Sequence, residues 1–477
     1  MKKSVGIMKE RSIWLNAKLG EISREIKPGY PSGKHNSVGN GKLHFRPYNI
    51  SNEGEVNLTQ TKFVPLKNED YYLKSQDIIF NNTNSPELLG KTCIINKDTD
   101  WVYSNHMTRI RLKPRFDPRF YARYLHYLKY TGFYKVNCSN HVNQASIASG
   151  FLNQNLEVPI CPLPEQRAIV SKIEQLFSEL DNGIANLKLA QEQLKVYRQA
   201  VLKKAFEGYV KVPFSDLVKS SQNGISKRSG KEGSEFKVLR LADISNLEID
   251  YSSPRCIRLT SSEINKYKLF KDDLVCIRVN GSKNLVGRLI ITSKKDDLNN
   301  WAFCDHFIRF SLDLSNTVPK YYYYYFQTME VRQYVHENMV SSAGQNTVSQ
   351  STIKSILVPF CSLPEQQVIV QEIETRLSVC DKIEQDIETN LERAEALRQS
   401  ILKKAFEGKL LNEKELAEVR GAEDWEPAEV LLERIKAEKV GNRKKRKQTT
   451  EKQKNIIQED KGLIQQATLQ AFEQIDK

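Results

Sequence analysis

Leu163-Pro164-Glu165-Gln166 recurs as Leu363-Pro364-Glu365-Gln366, and each copy opens a long helical pattern that closes on the same words. The first closes on Leu202-Lys203-Lys204-Ala205-Phe206-Glu207-Gly208, the second on Leu402-Lys403-Lys404-Ala405-Phe406-Glu407-Gly408. The offset is 200 residues at both ends, and from Val158 to Gly208 roughly 23 of about 51 positions are identical to their partners. An internal duplication is therefore the first feature the fold must accommodate. A duplicated chain builds two similar surfaces related by a pseudo-twofold axis, and DNA backbones have that symmetry too.

Local chemistry marks both helix ends. Pro suits the first turn and Glu the positive end of the helix dipole, while Lys-Lys near the close and the following Gly suit the negative end and its cap. Apolar residues recur at near-heptad spacing: Ile169, Ile173, Leu176, Leu180, Ile184, Leu187, Leu194 and Val201 in the first copy. In the second they are Ile369, Ile373, Leu377, Cys380, Ile383, Ile387, Ala394, Leu397 and Ile401. Such a helix, ~63 Å long at 1.5 Å per residue, cannot bury its stripe alone. Its own repeat matches it in length and register, which predicts an antiparallel pair. The competing arrangement packs each helix on its own globular block.

The pattern divides the chain into residues 1–157, a helical 158–210, a second mixed block 211–357, a helical 358–410 and a charged tail 411–477. The fold class expected is α+β, two mixed α/β domains joined by two long helices in an antiparallel coiled coil, with an internal pseudo-twofold repeat. The mixed blocks are diverged repeats. Phe45-Arg46-Pro47-Tyr48-Asn49-Ile50 stands opposite Leu239-Arg240-Leu241-Ala242-Asp243-Ile244, and Leu89-Gly90-Lys91-Thr92 opposite Val286-Gly287-Arg288-Leu289. Strand pieces keep their order while polar loop residues differ, as expected of one fold carrying two recognition surfaces.

Lys and Arg number 72 against 58 acids, a formal charge of +14, which favours a polyanionic partner. No apolar run approaches the ~20 residues that a membrane helix needs. The eight cysteines form no CxxC pair, which points to free thiols in a reducing cytoplasm.

Catalytic signatures are missing. Gly90-Lys91-Thr92 ends like a phosphate-binding loop, but Ser85 stands where its first Gly belongs and Pro86 follows, so these residues are expected to start a strand. No cofactor loop, HExxH or hydrolase triad appears, and no metal site is expected. Tyr321 through Tyr325 and Phe326 invite a base-stacking reading. Their register with Phe120-Tyr121 and Tyr124 favours an amphipathic helix on its own core.

The polar loops are the candidates for contact. Lys34, His35 and Asn36 and, in the second block, Lys227, Arg228 and Lys231 occupy equivalent Gly-rich stretches. Arg46 and Arg240 are equivalent, and so are the loops carrying Asn82 and Asn84 or Arg278, Asn280 and Lys283. Asn, Arg and Lys have the forked or bidentate donors that read base edges and phosphates. The tail adds a basic run, Arg443-Lys444-Lys445-Arg446-Lys447, and before it Leu431-Leu432-Glu433-Arg434-Ile435 suggests a short docking helix.

On these motifs the chain resembles the specificity subunits of type I restriction–modification systems over roughly residues 11–440. The resemblance rests on Trp14 with Leu19-Gly20-Glu21-Ile22, the two Leu-Pro-Glu-Gln openings, the two Arg-Gln-x-x-Leu-Lys-Lys-Ala-Phe-Glu-Gly closings, and Glu426-Pro427-Ala428 ahead of Leu431. It departs where Asp216-Leu217-Val218 replaces the second Leu-Gly-Glu-Ile. The resemblance implies a non-catalytic subunit with two target-recognition domains, each reading one half of a split, asymmetric double-stranded DNA site. It implies that the helices space the halves and hold two methyltransferase subunits, with Leu163, Pro164, Glu165, Gln166 and Leu363, Pro364, Glu365, Gln366 as partner contacts. S-adenosylmethionine, ATP and magnesium would reside in those methyltransferase subunits and in restriction/translocase subunits, all in the cytoplasm. The competing readings are a stand-alone sequence-specific DNA-binding regulator and a coiled-coil scaffold that does not bind DNA.

Overall fold

The computed structural model describes residues 14–65, 68–142, 144–245, 247–292, 298 and 300–438. The basic run at 443–447 lies outside the described residues. The chain forms two compact units, one holding residues up to Ile184 and from Glu392, the other Ala185–Leu391. The division falls in the middle of both long helices, not at the ends of the predicted helical blocks. The helix pairing described below is the reason.

In the first unit a four-stranded antiparallel sheet runs Ser23–Pro28, Met107–Leu112, Ile78–Asn81, Thr92–Ile94 in spatial order. A three-stranded sheet places Lys42–Phe45 between Phe63–Val64 and Val102–Tyr103, the last pairing parallel. Small ribbons complete it: Thr83–Asn84 on the hairpin Ser139–His141/Gln144–Ser146, and Leu15–Lys18 on Glu157–Ile160.

The second unit repeats this plan and adds the short ribbon Ile244–Ser245/Glu248–Ile249. Its main sheet runs Val218–Asn223, Phe307–Leu312, Leu274–Ile277, Leu289–Ile291, and Ser234–Leu239 lies between Arg255–Leu259 and the parallel Trp301–Phe303. Even the irregularity in the first strand recurs, between Ser23 and Glu25 and between Val218 and Ser220. Buried strands explain the repeat: Ile78-Ile79-Phe80 and Leu274-Val275-Cys276-Ile277 are buried on both faces and fix the register. Thr92 starts a strand as expected, and Gly90 precedes it at φ +85°, where a Cβ would meet the Tyr134 ring at 2.1 Å.

Each unit packs a short helix on the close of the long-helix segment that it contains. Helix Pro118–Tyr130 of the first unit packs its Phe120 and Tyr124 rings on Phe406, with centroids 5.4 and 5.2 Å away. In the second unit Tyr321 and Tyr325 of helix Pro319–Tyr325 take Phe206 at 5.0 and 5.2 Å. The tyrosine run is therefore core: Tyr321, Tyr322, Tyr325 and Phe326 are all buried.

The long helices run Leu163–Ala205 and Leu363–Phe406, 43 and 44 residues, or ~65 Å each. Within each unit the two segments pair antiparallel. In the first unit Arg398 meets Asp181 and lies over Phe177, while Ile401 and Leu402, later in the chain, share a core with Ile169, Val170 and Ile173, earlier in it. In the second, Arg198 meets Asp381 and Glu384. Covered positions of the second helix include Ile373, Leu377, Cys380, Glu384, Ile387, Leu391, Ala394, Arg398 and Ile401, a series alternating three and four apart. That is a knobs-into-holes seam. It differs from the expected stripe at two places, because Ile383 and Leu397 are 44% and 51% exposed. Glu384 and Arg398 hold those seam positions, and both are spent in interhelical ion pairs.

The chain after the second helix folds back on the first unit. Helix Glu413–Arg420 and helix 428–438 bring Leu411, Leu431 and Ile435 into the first core, as the docking pattern predicts. Ion pairs Arg167–Asp424, Arg115–Glu426 and Lys113–Glu438 at 2.8–3.0 Å edge this contact. Among the described residues no helix is long and apolar enough to cross a membrane.

Candidate nucleic-acid interface

The same junction is built in both units where the two sheets meet. Strand Lys42–Phe45 ends in Arg46, whose N–H donates to Asn49 Oδ1 at 2.9 Å, starting the turn Pro47–Asn49. Strand Ser234–Leu239 ends in Arg240, whose N–H donates to Asp243 Oδ2 at 2.8 Å. Beside each lies a second loop. Ser104 N donates to Phe45 O at 2.9 Å and Cys304 N to Leu239 O at 3.0 Å, which sets Ser104-Asn105-His106 and Cys304-Asp305-His306 against the arginines. Gly29 and Gly224 close the junction: a Cβ there would lie 2.2 Å from Ser104 O or 1.9 Å from Cys304 O.

The two junctions share a backbone and differ in chemistry. In the first, His35 Nε2 lies 3.1 Å from His44 Nδ1, with the rings stacked at 5.1 Å. Burial, then the Arg46 charge, pushes His44 down to about 4, and the same two causes lower His35 and His106. These imidazoles are therefore neutral hydrogen-bonding groups around a single arginine near neutral pH. In the second, Arg228, Arg240, Arg255, Asp305 and His306 line a cleft of about 410 Å³. One junction offers neutral rings, the other concentrated positive charge.

Of the residues expected to face DNA, Lys34, Arg228, Lys231 and Lys283 are exposed. Arg46 is half-buried and lies over the Tyr48 ring at 5.9 Å. Asn84 and Asn280 are half-buried equivalents, each accepting the N–H that begins a turn, from Ser85 and Ser282 at 2.8 Å. Arg278 is half-buried, with Nη1 3.5 Å from Asp305 O. Three expectations need correction. Asn82 is buried, and its amide donates to Thr108 Oγ1 at 2.8 Å and Asn105 O at 3.2 Å, so it ties loops together. Asn36 spends its side chain on backbone groups, donating to Asn40 O and Phe63 O and accepting from Val38 and Asn40 N–H. Lys227 is held by both Glu263 oxygens at 3.0 Å.

The two helix openings are equal in sequence and unequal in surroundings. Pro164, Glu165 and Gln166 are buried and Leu163 is half-buried, whereas Pro364 and Glu365 are exposed and Leu363 half-buried. Trp14 Nε1 donates to Glu165 Oε2 at 3.1 Å, and Trp425 Nε1 reaches Oε1 at 3.5 Å. Both glutamines face inward. Gln166 Oε1 accepts from Asp117 N and Gln366 Oε1 from Val318 N, each at 2.8 Å, anchoring the helix to its block. The burial of Pro164, Glu165 and Gln166 removes them from any accessible partner surface, and Gln366 is removed with them.

Sequence reasoning missed His106, His306 and Arg255. The first two carry a signal: Tyr103-Ser104-Asn105-His106-Met107 aligns with Phe303-Cys304-Asp305-His306-Phe307 at the same 200-residue offset. Arg255 carries none, because only the pairing of Arg255 with Val238 brings it to the cleft. The eight cysteines are all free thiols.

The type I restriction modification DNA specificity domain matches this sequence twice, over residues 12–189 and 207–393, and the chain belongs to that family. It acts as a DNA sequence-specificity subunit of a type I restriction–modification system, a recognition component without catalytic activity of its own. It is 32% identical over 418 residues to the type I restriction enzyme StySPI specificity subunit of Salmonella potsdam, covering 83% of this chain and 88% of that one. To the EcoKI specificity subunit of Escherichia coli K12 it is 27% identical over 452 residues, 90% of this chain and 96% of that one. The fold is shared with the HsdS subunit from Thermoanaerobacter tengcongensis, with a TM-score of 0.56 at 17% identity over 83% of this chain and 97% of that one. A chain solved in work on complex assembly and conformational transition of the type I system scores 0.63 at 17% identity, over 83% and 98% of the two chains. Specificity subunits of this kind act within multisubunit complexes.

Proposed function

We propose that the chain reads a bipartite, asymmetric double-stranded DNA site, one half with each unit, and directs adenine-N6 methylation or ATP-dependent cleavage by partner subunits. One observation carries this reading: equivalent junctions hold histidines around Arg46 in one unit and arginines around Arg240 in the other. A shared frame with different side chains at its rim suits two different half-sites. Affinity comes mainly from Lys and Arg on phosphates, and each well-read base pair adds ~1–3 kcal/mol of discrimination. Residues Lys34, His35, Arg46, Asn84, Arg228, Lys231, Arg240, Arg278, Asn280 and Lys283 supply those contacts in this reading, joined by His106, Arg255 and His306. Asn36, Asn82 and Lys227 shape the loops that present them.

In the same reading the long helices act as a spacer and hold two methyltransferase subunits, with Leu363, Pro364 and Glu365 on the accessible side. S-adenosylmethionine, ATP and magnesium belong to the methyltransferase and restriction/translocase subunits, and the complex works in the cytoplasm. Two modules on one stiff spacer gain through effective concentration only when the half-sites match its reach. The test is to express the chain with its neighbouring methyltransferase and map methyladenine. A split motif that needs both proteins is the expected result. Sequence-specific DNA binding without methyltransferase co-purification would replace this reading with a stand-alone regulator.

A further inference from the structure

The cleft of the second unit holds more positive charge than its own carboxylates balance. Arg240 is already tied, with Nη2 donating to Asp243 Oδ1 at 2.6 Å and Nε to Oδ2 at 3.0 Å. Asp305 faces His306, Oδ1 to Nδ1 at 3.3 Å. Arg228 and Arg255 line the same cleft and form no ion pair among the described residues. Arg255 Nε is also buried with no hydrogen-bond partner there. The pairing of strand Arg255–Leu259 with Ser234–Leu239 fixes Arg255 in place, opposite Val238. Two guanidiniums in one cleft repel each other. An acceptor-rich anion would relieve that repulsion and supply the charge the two guanidiniums lack.

We propose that Arg228 and Arg255 form a seat for one backbone phosphate of the bound duplex, a seat that the first unit lacks. The inference rests on the DNA-recognition reading above. A phosphate fits better than a base edge because it brings the negative charge the cleft lacks, and Arg forks match its oxygens. In the first unit the register position of Arg255 is Lys62, since His44 N bonds to Lys62 O, and Lys62 is engaged with Ser37 Oγ at 2.7 Å. The equivalent of the phosphate seat is there a lysine already in use, beside stacked imidazoles.

Phosphate contacts are independent of sequence, so a random duplex of about 30 base pairs serves as the probe for the full-length chain. Its affinity is measured by fluorescence anisotropy between about 50 and 200 mM KCl. Replacing both arginines (Arg228→Gln with Arg255→Gln) should lower the slope of log affinity against log salt by about 0.9, and affinity at 100 mM by about eightfold. Arg228→Gln alone, at an exposed site that tolerates replacement, should give part of the same change. Arg258→Gln, exposed and on the opposite face of the same strand, should leave slope and affinity as in the parent. Parental slope and affinity in the double variant would overturn the phosphate seat while leaving the DNA-recognition reading intact. So would weaker binding at an unchanged slope, which denotes a base-edge contact. A parent chain with no salt-dependent affinity for DNA would overturn both.

Discussion

Arg198 donates to the Asp381 carboxylate at 2.7 Å, and Arg398, two hundred residues later, donates to Asp181, two hundred residues earlier. The two pairs are one interaction written twice, each joining the two helices inside its own unit. They show how the duplication uses its symmetry: the close of one helix always meets the middle of the other. The pairs differ in depth. Arg398 is buried and lies 4.7 Å from the Phe177 ring centroid, while Arg198 keeps more of its surface and adds Glu384 at 2.8 Å.

That difference sets the first expected outcome. Arg398→Ala removes a stacked guanidinium and its buried stem, and should destabilise the first unit by about 1–3 kcal/mol. Asp181→Ala keeps the Arg398 stem and its stacking on Phe177 and should cost less than Arg398→Ala. Urea unfolding of both variants checks the ranking. An equal or reversed cost would mean that Arg398 works through its charge pair and not through its packing on Phe177.

Glu165 and Glu365 occupy the same letter of the repeat, yet one is buried and the other exposed. Glu165→Ala strips the acceptor from Trp14 and Trp425 inside a packed corner. Leaving those indole donors unmet should cost about 2–3 kcal/mol. Glu365→Ala removes a carboxylate that accepts from Ser362 at the surface and should leave unfolding close to the parent. Tryptophan fluorescence during unfolding reads the first effect directly. Similar losses in the two variants would contradict the burial difference.

His126 gives the first unit a pH dependence of known sign. Its Nδ1 accepts from Thr92 N–H at 3.1 Å and its Nε2 lies 2.9 Å from Asn52 O, an arrangement that requires the neutral ring protonated on Nε2. Burial pushes its pKa down to about 3, below the value of about 6.5 it regains on unfolding. The unfolded chain therefore binds the proton first. Stability is complete above pH 6.5 and is lost as pH falls toward about 3, with a slope approaching about 1.4 kcal/mol per pH unit from this group. His44, lowered to about 4, contributes over the upper part of that window. Denaturant midpoints between pH 7 and 4.5 should fall less steeply for His126→Gln than for the parent. Parallel profiles would refute the assignment.

Much of this architecture is legible in the sequence because burial repeats what the letters repeat. The Leu-Pro-Glu-Gln openings, the Lys-Lys-Ala-Phe-Glu-Gly closings and the aromatic register of Phe120 and Tyr321 all reappear as equivalent packing. What the letters hide is context. Asn82 has the side chain of a base reader, but a central strand and Thr108 turn it inward. Arg398 looks like a surface residue beside Leu397, and only the three-four spacing of its neighbours places it in the seam. Glu165 is covered by Trp425, 260 residues further along the chain, which no local pattern encodes. Arg255 reaches its cleft through strand pairing alone. The frame follows from periodicity, while recognition chemistry depends on which loops the sheets bring together.

The seam also refines how a spacer could be altered. A four-residue deletion in one helix would move Arg398 or Arg198 off its partner and break the heptad match. Removing one full heptad from each helix, residues 184–190 with residues 388–394, keeps the three-four alternation on both sides. It shortens each helix by about 10.5 Å, the length of about three base-pair steps. Under the proposed spacer role, the paired deletion should leave the sequences of both half-sites unchanged and shorten the gap between them. Methylome sequencing of cells carrying the variant with its methyltransferase partner reads both quantities at once. An active variant with the parental gap would mean that the helices hold the units together without measuring the distance between half-sites.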